Sequence, residues 1–483
     1  MRIILLSVLL GACSREPDDT GRVTPTGTAD VDLTATATPA VVPNVLQIAW
    51  TAPGPGTSWV EYGLDGALDQ RTPDSDTTSI QVLGLKSTRS YAWRAVTALD
   101  TGELAASPVV TYQVPPPPPG VPSVDVIFDD RDASAMAGRY VLVQLGGLDQ
   151  SWAVILDEDG DYVWALAFPE GLQISHLAVA HDRQSLWITQ MDKVQTQDLS
   201  RTWRYGMDGS VLSDTRLPDQ HHVAIERADG DLLWIAHVTR DVVQEDGATW
   251  QVLTDELRTA SEGAGDDYTA VFSYLDDWIP WSIPCDHVED PEEYLGADGF
   301  HEWTHSNSLV ESPEDAAYYV APRLHDALLK LDSATNAVLW QLGGVDNDFE
   351  IVAAPTGADG ESLWSHGHMN EAWPGGMLMF DNAIHPNSHG SRAQEWAIDE
   401  DRMTAELVWT YEDPSGAQMP LLGDLRRLPD GHRLTTWTTF GRITEHDPAT
   451  GAIPWTLEVS LGAVIGRPTV LDSLYDLAEA PRP

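Results

Sequence analysis

Fifteen histidines are spread unevenly through this chain of 483 residues, and three groups of them have spacings that could do chemistry. His221-His222 stand together just ahead of Val223-Ala-Ile-Glu226. His301-Glu-Trp-Thr-His305-Ser-Asn307-Ser308 and Trp364-Ser-His366-Gly-His368-Met-Asn370 each set two histidines beside an amide side chain. Three kinds of chemistry fit. Several imidazoles with few thiols suit zinc or copper, although neither His301/His305 nor His366/His368 has a nearby carboxylate of clear ligand role. Buried imidazoles also serve as polar plugs that satisfy one another's hydrogen bonds. Combined with arginine, they hold and exchange an anionic group. The residue types leave all three open. Asp157-Glu-Asp-Gly-Asp161 reads as a hairpin turn and not a calcium loop, because the later bidentate Glu is missing. No metal or cofactor is assigned.

The elements that must position these histidines are strands. Residues 123–476 show almost no amphipathic helical stretch. They repeat a unit of strand, Gly or Asp turn, and apolar strand closing on Trp. Val154-Ile-Leu-Asp-Glu-Asp-Gly160-Asp-Tyr-Val-Trp164, Trp203-Arg-Tyr-Gly-Met-Asp-Gly209 and Leu329-Lys-Leu-Asp332 through Trp340 carry the theme. Leu407-Val-Trp409 and Ile443 through Trp455 continue it. Such units of short strands predict an all-β fold, a β-propeller of about six blades. Its innermost strands line one channel, so histidines distant in sequence would converge on one pocket.

Ahead of it, residues 42–114 alternate apolar and polar positions, as in Leu46-Gln-Ile-Ala-Trp50 and Ser58-Trp-Val-Glu-Tyr62. That is the period of half-buried strands. Leu85, then Tyr91 and Trp93, suggest a tyrosine corner, hence a fibronectin type III-like β-sandwich. The run Pro115–Pro119 opens a proline-rich linker, 115–122. Residues 14–41 are too poor in large apolar side chains to bury a core and are expected to be a disordered tether. Residues 477–483 form a tail.

Arg2, the apolar run Ile3–Leu10 and Leu10-Gly-Ala-Cys13 read as a signal peptide, 1–13, ending in a lipobox, with Cys13 the lipidation site. The expected location is the cell envelope, lipid-anchored, on the outer membrane facing periplasm or cell surface. The membrane is then a partner through the lipid anchor only. The second cysteine, Cys285, reads as a small buried apolar residue. Twenty-seven basic against 75 acidic residues give a formal charge of −48, which excludes nucleic acid as a partner because phosphate binding needs clustered Lys and Arg.

Several segments of 123–476 resemble the bacterial arylsulfate sulfotransferases, enzymes that work without a nucleotide cofactor. Trp303-Thr-His305-Ser-Asn307-Ser308 is similar to the family's Trp-x-His-x-Asn-Ser motif. Lys330-Leu-Asp332 through Trp340-Gln-Leu-Gly-Gly344 is similar to its Lys-Ile-Asp…Trp-x-Leu-Gly-Gly stretch. Phe380-Asp-Asn382, Ser391-Arg-Ala393, Gly423–Gly431 and Ser473-Leu-Tyr475 follow in the family's order. The resemblance implies a sandwich before the propeller. It also implies transfer of a sulfuryl group from an aryl sulfate to a phenol through histidine chemistry. It assigns His305, His368 and Arg392 to the catalytic pocket, with Asn307, His366, Asn382 and Arg323 binding substrate. The chain departs from the pattern where Gly367 replaces Gln and Met369-Asn370 replace Asp. It departs again in the late propeller, where the family carries a further histidine and Leu434–Phe440 has none, although His432 and His446 flank it. Water as the acceptor would make the outcome hydrolytic. A propeller lipoprotein that only binds a small anion, glycan or protein partner is the alternative reading.

Overall fold

The computed structural model describes residues 27, 29–146, 150–169, 172–192, 199–243, 247–264, 266–278, 300–353, 363–385, 389–460 and 462–477. Cys13 with its lipobox, half of the expected tether, Cys285, the side chain of His301 and the tail beyond Leu477 lie outside the described residues. Nearly everything described is strand. No helix among these residues is long and apolar enough to cross a membrane.

The chain divides into two compact units. The first comprises residues 1–39, 46–82 and 88–115; the second comprises 40–45, 83–87 and everything from 116 onward. The first unit holds two sheets. Leu46–Trp50 pairs with Ala35–Pro39 and Ser79–Val82, while Gly56–Leu64 and Ser90–Leu99 centre the other. The half-buried period read from Leu46–Trp50 is present as alternating burial. Glu61 is buried with Arg94, its oxygen 2.7 Å from the guanidinium, which spares it an unpaired charge. The expected tether ends early, because Val31–Asp32 and Ala35–Pro39 are strands. Their Thr and Ala side chains are small, but the backbone ladder to Leu46–Trp50 supplies hydrogen bonds that composition does not reveal.

The second unit is propeller-like. Among the described residues it is built from six mainly antiparallel sheets in chain order. The first strands of the antiparallel runs in the second to sixth sheets are Leu172–Val179, Gln220–Glu226, Ser306–Ser312, His368–Trp373 and Asp424–Arg427, and Glu350–Ala353 joins the far edge of the fifth in parallel. These strands pack side by side in turn. The first sheet, Tyr140–Gly146 to Tyr162–Phe168, takes Val464–Ile465 and Thr469–Leu471 from the far end of the chain. The sixth takes Val124–Phe128 from the beginning, in register from Val124↔Val459 to Phe128↔Trp455. Each sheet therefore has one apolar face against the sheet before it and one against the sheet after. The core is a set of inter-sheet clusters, including one that joins the sixth sheet to the first through Leu434, Trp455, Val143 and Val154.

The repeated tryptophans supply those seams. Trp164 of the first sheet is fully buried against Leu186 and Ile188 of the second, and its Nε1–H donates to the Met207 carbonyl at 2.8 Å. Trp455 repeats this between the sixth and first sheets, donating to the Glu158 carbonyl at 3.2 Å. A large apolar body with one satisfied N–H suits such a position. The acidic turn at 157–161 has a plain structural occupant. Asp157 Oδ1 accepts the N–H groups of Asp159 and Asp161. Lys86 Nζ lies 2.6 Å from Asp157 and 2.9 Å from Asp161, so the local positive charge is an ammonium.

Candidate functional site

The first strands of consecutive sheets begin with bulges. Pairing slips between Ile174 and His176, between Gln220 and Ala224, between Ser306 and Ser308, and between His368 and Glu371. At or beside these bulges His222, His305 and His366 sit in the left-handed region, with φ of 55°, 46° and 52°. Such a conformation is uncommon for a residue with a Cβ and collects at functional sites. A bulge also re-aims side chains that the strand period would send to a sheet face.

The re-aimed rings meet. His222 lies 5.0 Å from His305 and 5.7 Å from His368, centroid to centroid. His221 is 5.0 Å from His222, with their Nδ1 atoms 2.7 Å apart, and stacks on His237 at 3.6 Å. Two carboxylates back the cluster. Asp255 Oδ1 is 3.0 Å from His221 Nε2, and Glu302 Oε1 is 2.5 Å from His305 Nδ1. His222 and His368 open into a cavity that Arg467, Asp424, Thr438 and Gly423 also line. Arg467 is balanced by Asp424, 3.7 Å away.

Electrostatics keep the cavity-facing imidazoles neutral. Burial lowers His368 to about 3, and Arg323, His305 and Arg467 add to the effect, against the opposing hydrogen bond to Gly423. Burial, then the neighbouring imidazoles, hold His222 well below the usual histidine range. Burial and His221 do the same to His237, against the pull of Asp255. Burial pushes the Asp255 carboxyl upward. His221, His237 and the Ser306 N–H outweigh it and keep the group ionised well below its usual range. Neutral His368 has one ring nitrogen engaged, its Nδ1–H donating to the Gly423 carbonyl at 3.1 Å. The lone pair then resides on Nε2, an assignment made from this hydrogen bond.

The residues expected from sequence fall into three places. His305 and His368 join the cluster, and Arg323 acts on His368 electrostatically while its Nη2 donates to the Pro420 carbonyl at 3.4 Å. Asn307 and Asn382 use their amides on backbone. Asn307 Nδ2 donates to Gly367 at 2.9 Å, and Asn382 Nδ2 donates to Met419 and Leu422 at 2.7 and 2.8 Å. Each fixes a turn that precedes a cavity residue. Arg392 turns to Asp381, Nε to Oδ2 at 2.9 Å, with both side chains buried. The arginines that the structure sets against His368 are Arg323 and Arg467. His366 packs on His385 at 5.1 Å, beside Asp326.

Carboxylates do meet the histidines, contrary to the sequence expectation. Glu302 reaches His305, and Asp326 reaches the His366 turn. His221, His237 and Asp255 lie close enough to share an ion, as do His237, Glu302 and His305. The His221 and His237 rings stack at 3.6 Å, inclined by only 21°, and both carboxylates already hold an imidazole at hydrogen-bond distance. These two groups are imidazole–carboxylate pairs in geometry.

The late-propeller flanking histidines stay out of the cluster. His432 Nδ1 pairs with Glu445 Oε1 at 2.5 Å, and His446 packs on Tyr411 and bonds Thr444 Oγ1 at 2.9 Å. Thr438 occupies the cavity wall there. The departure at Gly367 is steric, since a Cβ would meet Met379 Sδ at 2.6 Å and Trp364 Cδ1 at 2.8 Å.

The arylsulfotransferase (ASST) family pattern matches residues 129–452, spanning every histidine of the cluster. The chain belongs to the arylsulfotransferase family. No curated protein matches this family member. Among solved structures, it resembles the β-propeller domain of Cps50 (Swd1) from Myceliophteria thermophila at 11% identity. That match covers 69% of this chain and 85% of the other, with a TM-score of 0.38. It also resembles a putative 6-phosphogluconolactonase from Bacteroides uniformis at 12% identity, covering 69% and 98%, with a TM-score of 0.35.

The buried neutral histidines of this arylsulfotransferase-family chain have a consequence for stability. His176 and His368 are lowered to about 3, and His325 to about 4, in each case first by burial. Unfolded histidines bind protons below about pH 6.5 while these folded ones do not. The stabilisation is thus complete above that pH and is lost as pH falls. One such group changes stability by roughly 2 kcal/mol between pH 6.5 and pH 5. Urea unfolding at these two pH values should show a loss larger than that single-group figure. An unchanged unfolding free energy would mean that the histidines take up protons without resistance in the fold.

Proposed function

We propose that this chain is an aryl-sulfate sulfotransferase that passes a sulfuryl group from an aryl sulfate to a phenol through His368. The observation that carries the reading is that His222 meets both His305 and His368, while His222, His368 and Arg467 line one cavity. The six sheets are read as six propeller blades, and the first unit as the fibronectin type III-like sandwich. The N-terminal Leu10-Gly-Ala-Cys13 would place the enzyme on a membrane of the cell envelope through lipid on Cys13.

In the first half-reaction the sulfate oxygens lie against Arg467 and Arg323, whose fixed charges stabilise negative charge gathering on those oxygens. His368 Nε2 attacks sulfur, and the bond from sulfur to the aryl oxygen breaks. His305, held by Glu302, gives that oxygen a proton, so a phenol leaves and a sulfohistidine remains. In the second half a new phenol returns its proton to His305 as its oxygen attacks sulfur. The N–S bond breaks and His368 is restored. Neutrality of His368 is what makes it a nucleophile, and its burial maintains that state.

The test is a chromogenic aryl sulfate assay with and without added phenol. Phenol should raise the rate of chromophore release, and initial rates should follow a ping-pong pattern with parallel reciprocal plots. Release that ignores phenol would make the protein a sulfatase. No release, with the aryl sulfate still bound, would make it a binding protein.

A further inference from the structure

We propose that Asp326, His366 and His385 form a binding site for one divalent transition-metal ion of the zinc class, separate from the imidazole cluster. Their donor atoms all lie within 4.8 Å of one another. Asp326 follows the short 3-10 turn Arg323–His325 of the fourth sheet, and His366 and His385 flank the first two strands of the fifth. Two imidazoles and a carboxylate are the donor set of a zinc site that keeps its fourth position for water.

Distance separates this group from the ordinary imidazole–carboxylate pairs of the same protein. His221–Asp255 and His305–Glu302 close to 3.0 and 2.5 Å. Asp326 Oδ2 and His385 Nδ1 stand 3.5 Å apart. Two ligands bonded to zinc at about 2.0–2.1 Å in a tetrahedron lie roughly 3.3 Å from each other. The His366 and His385 rings cross at 76°, where the His221 and His237 rings stack at 21°, and crossed rings let in-plane lone pairs converge on one point. Charge favours the same occupant. A divalent ion brings positive charge to the Asp326 carboxylate, which is 5% exposed, while the imidazoles remain neutral ligands.

The surroundings hold the donors in place. Asp326 Oδ1 accepts the His366 N–H at 2.6 Å, which turns Oδ2 toward His385. The His385 N–H donates to Ser365 Oγ at 2.7 Å, and the Ser365 N–H donates to Asp381 at 2.9 Å. Asp381 is in turn held by Arg392. Outer hydrogen bonds of this kind orient metal ligands. Asp326 and His366 are both left-handed, with φ of 50° and 52°, a conformation that costs energy and persists where the surroundings impose it. His385 is 28% exposed and supplies the entry path. The ion would tie the turn that carries Arg323 to the turn that carries His368. It would thereby position both without touching substrate.

The experiment uses the full chain, stripped with a chelator and titrated with Zn²⁺ by calorimetry, with metal content measured after gel filtration. One equivalent should bind. H385Q and D326N should each weaken binding by at least about 100-fold while far-UV circular dichroism stays unchanged, and H237Q should bind as the parent does. Anomalous scattering at the zinc edge locates the ion with no substitution at all, and its peak should fall between the three side chains. Absence of stoichiometric binding by the folded parent overturns the proposal. So does binding that survives both substitutions, binding lost in H237Q, or a peak elsewhere. These outcomes read metal occupancy and not phenol-dependent turnover, so the sulfuryl-transfer reading stands or falls on its own assay.

Discussion

His368→Ala is expected to reduce phenol-dependent turnover by about 10⁴-fold or more, with the fold intact. Losses of that order follow removal of a nucleophile on which the other groups act as a unit. The ring is prepared for the role by what surrounds it. Its Nδ1–H is spent on the Gly423 carbonyl at 3.1 Å, which directs Nε2 to the cavity. Burial, reinforced by Arg323, keeps it unprotonated down to about pH 3, so attack needs no prior deprotonation. Gly423 has φ of 104°, and a Cβ there would strike the Phe380 ring; the carbonyl that sets the tautomer is itself fixed by packing. The decisive readout is covalent. Quenching the parent during turnover with an aryl sulfate alone should leave one sulfuryl group on the peptide containing His368. His222→Ala should retain that adduct and lose rate by a smaller factor, since His222 lines the cavity with its Nδ1 turned to His221 Nδ1 at 2.7 Å and not to a backbone carbonyl. An H368A protein that still carries a sulfuryl group, or still turns over, would move the nucleophile to another imidazole and sink the assignment.

Much of this was legible in the chain. The Trp-closing repeat from Val154 to Trp455 announces successive sheets, because each Trp is the seam between neighbours. His221-His222, His305 and His368 stand at strand beginnings, where a ring of sheets brings residues together. Other members of the site gave no such signal. His237 and Asp255 lie on the long second and third strands of the third sheet, Leu232–Val243 and Thr249–Ala260. Their approach to His221 depends on the register His237↔Asp255 within that hairpin. Strand period alone places alternate residues on one face and does not reveal the bulges that turn His222 and His305 inward. Arg467 lies beyond the span matched by the family, in the segment between Val464–Ile465 and Thr469–Leu471 that returns to the first sheet. A motif reading has no reason to look there. Asn307 and Asn382 were conspicuous in sequence because they hold turns; their hydrogen bonds to Gly367, Met419 and Leu422 explain why amides occupy those positions.

On the proposed function Arg467 and Arg323 act on substrate and Arg392 on the fold, and alanine substitutions should separate them. Arg467 borders the cavity with His368, while Arg323 sits near enough to His368 to oppose its protonation. Removing one charge-assisted donor from a preorganised anion site typically costs about 100- to 1000-fold in rate. Losses of that size are expected in kcat/KM for R467A and R323A. R467K should recover part of the rate, since a lysine restores charge without the planar fork. Arg392 is different. Its side chain is 6% exposed and its partner Asp381 only 1%. Asp381 also accepts the N–H groups of Ser365 and Ala383 through Oδ1. R392A strands that carboxylate in the interior, and breaking such a pair costs about 3–5 kcal/mol. The expected result is a lower unfolding midpoint in urea, with the surviving folded fraction near parental activity at low temperature. D381N should ease the defect in the double variant, because a neutral amide needs no counter-charge, whereas no partner substitution should restore R467A. If R392A instead unfolds like the parent and loses activity 100-fold, Arg392 reaches the substrate, and the division drawn between the arginines is wrong.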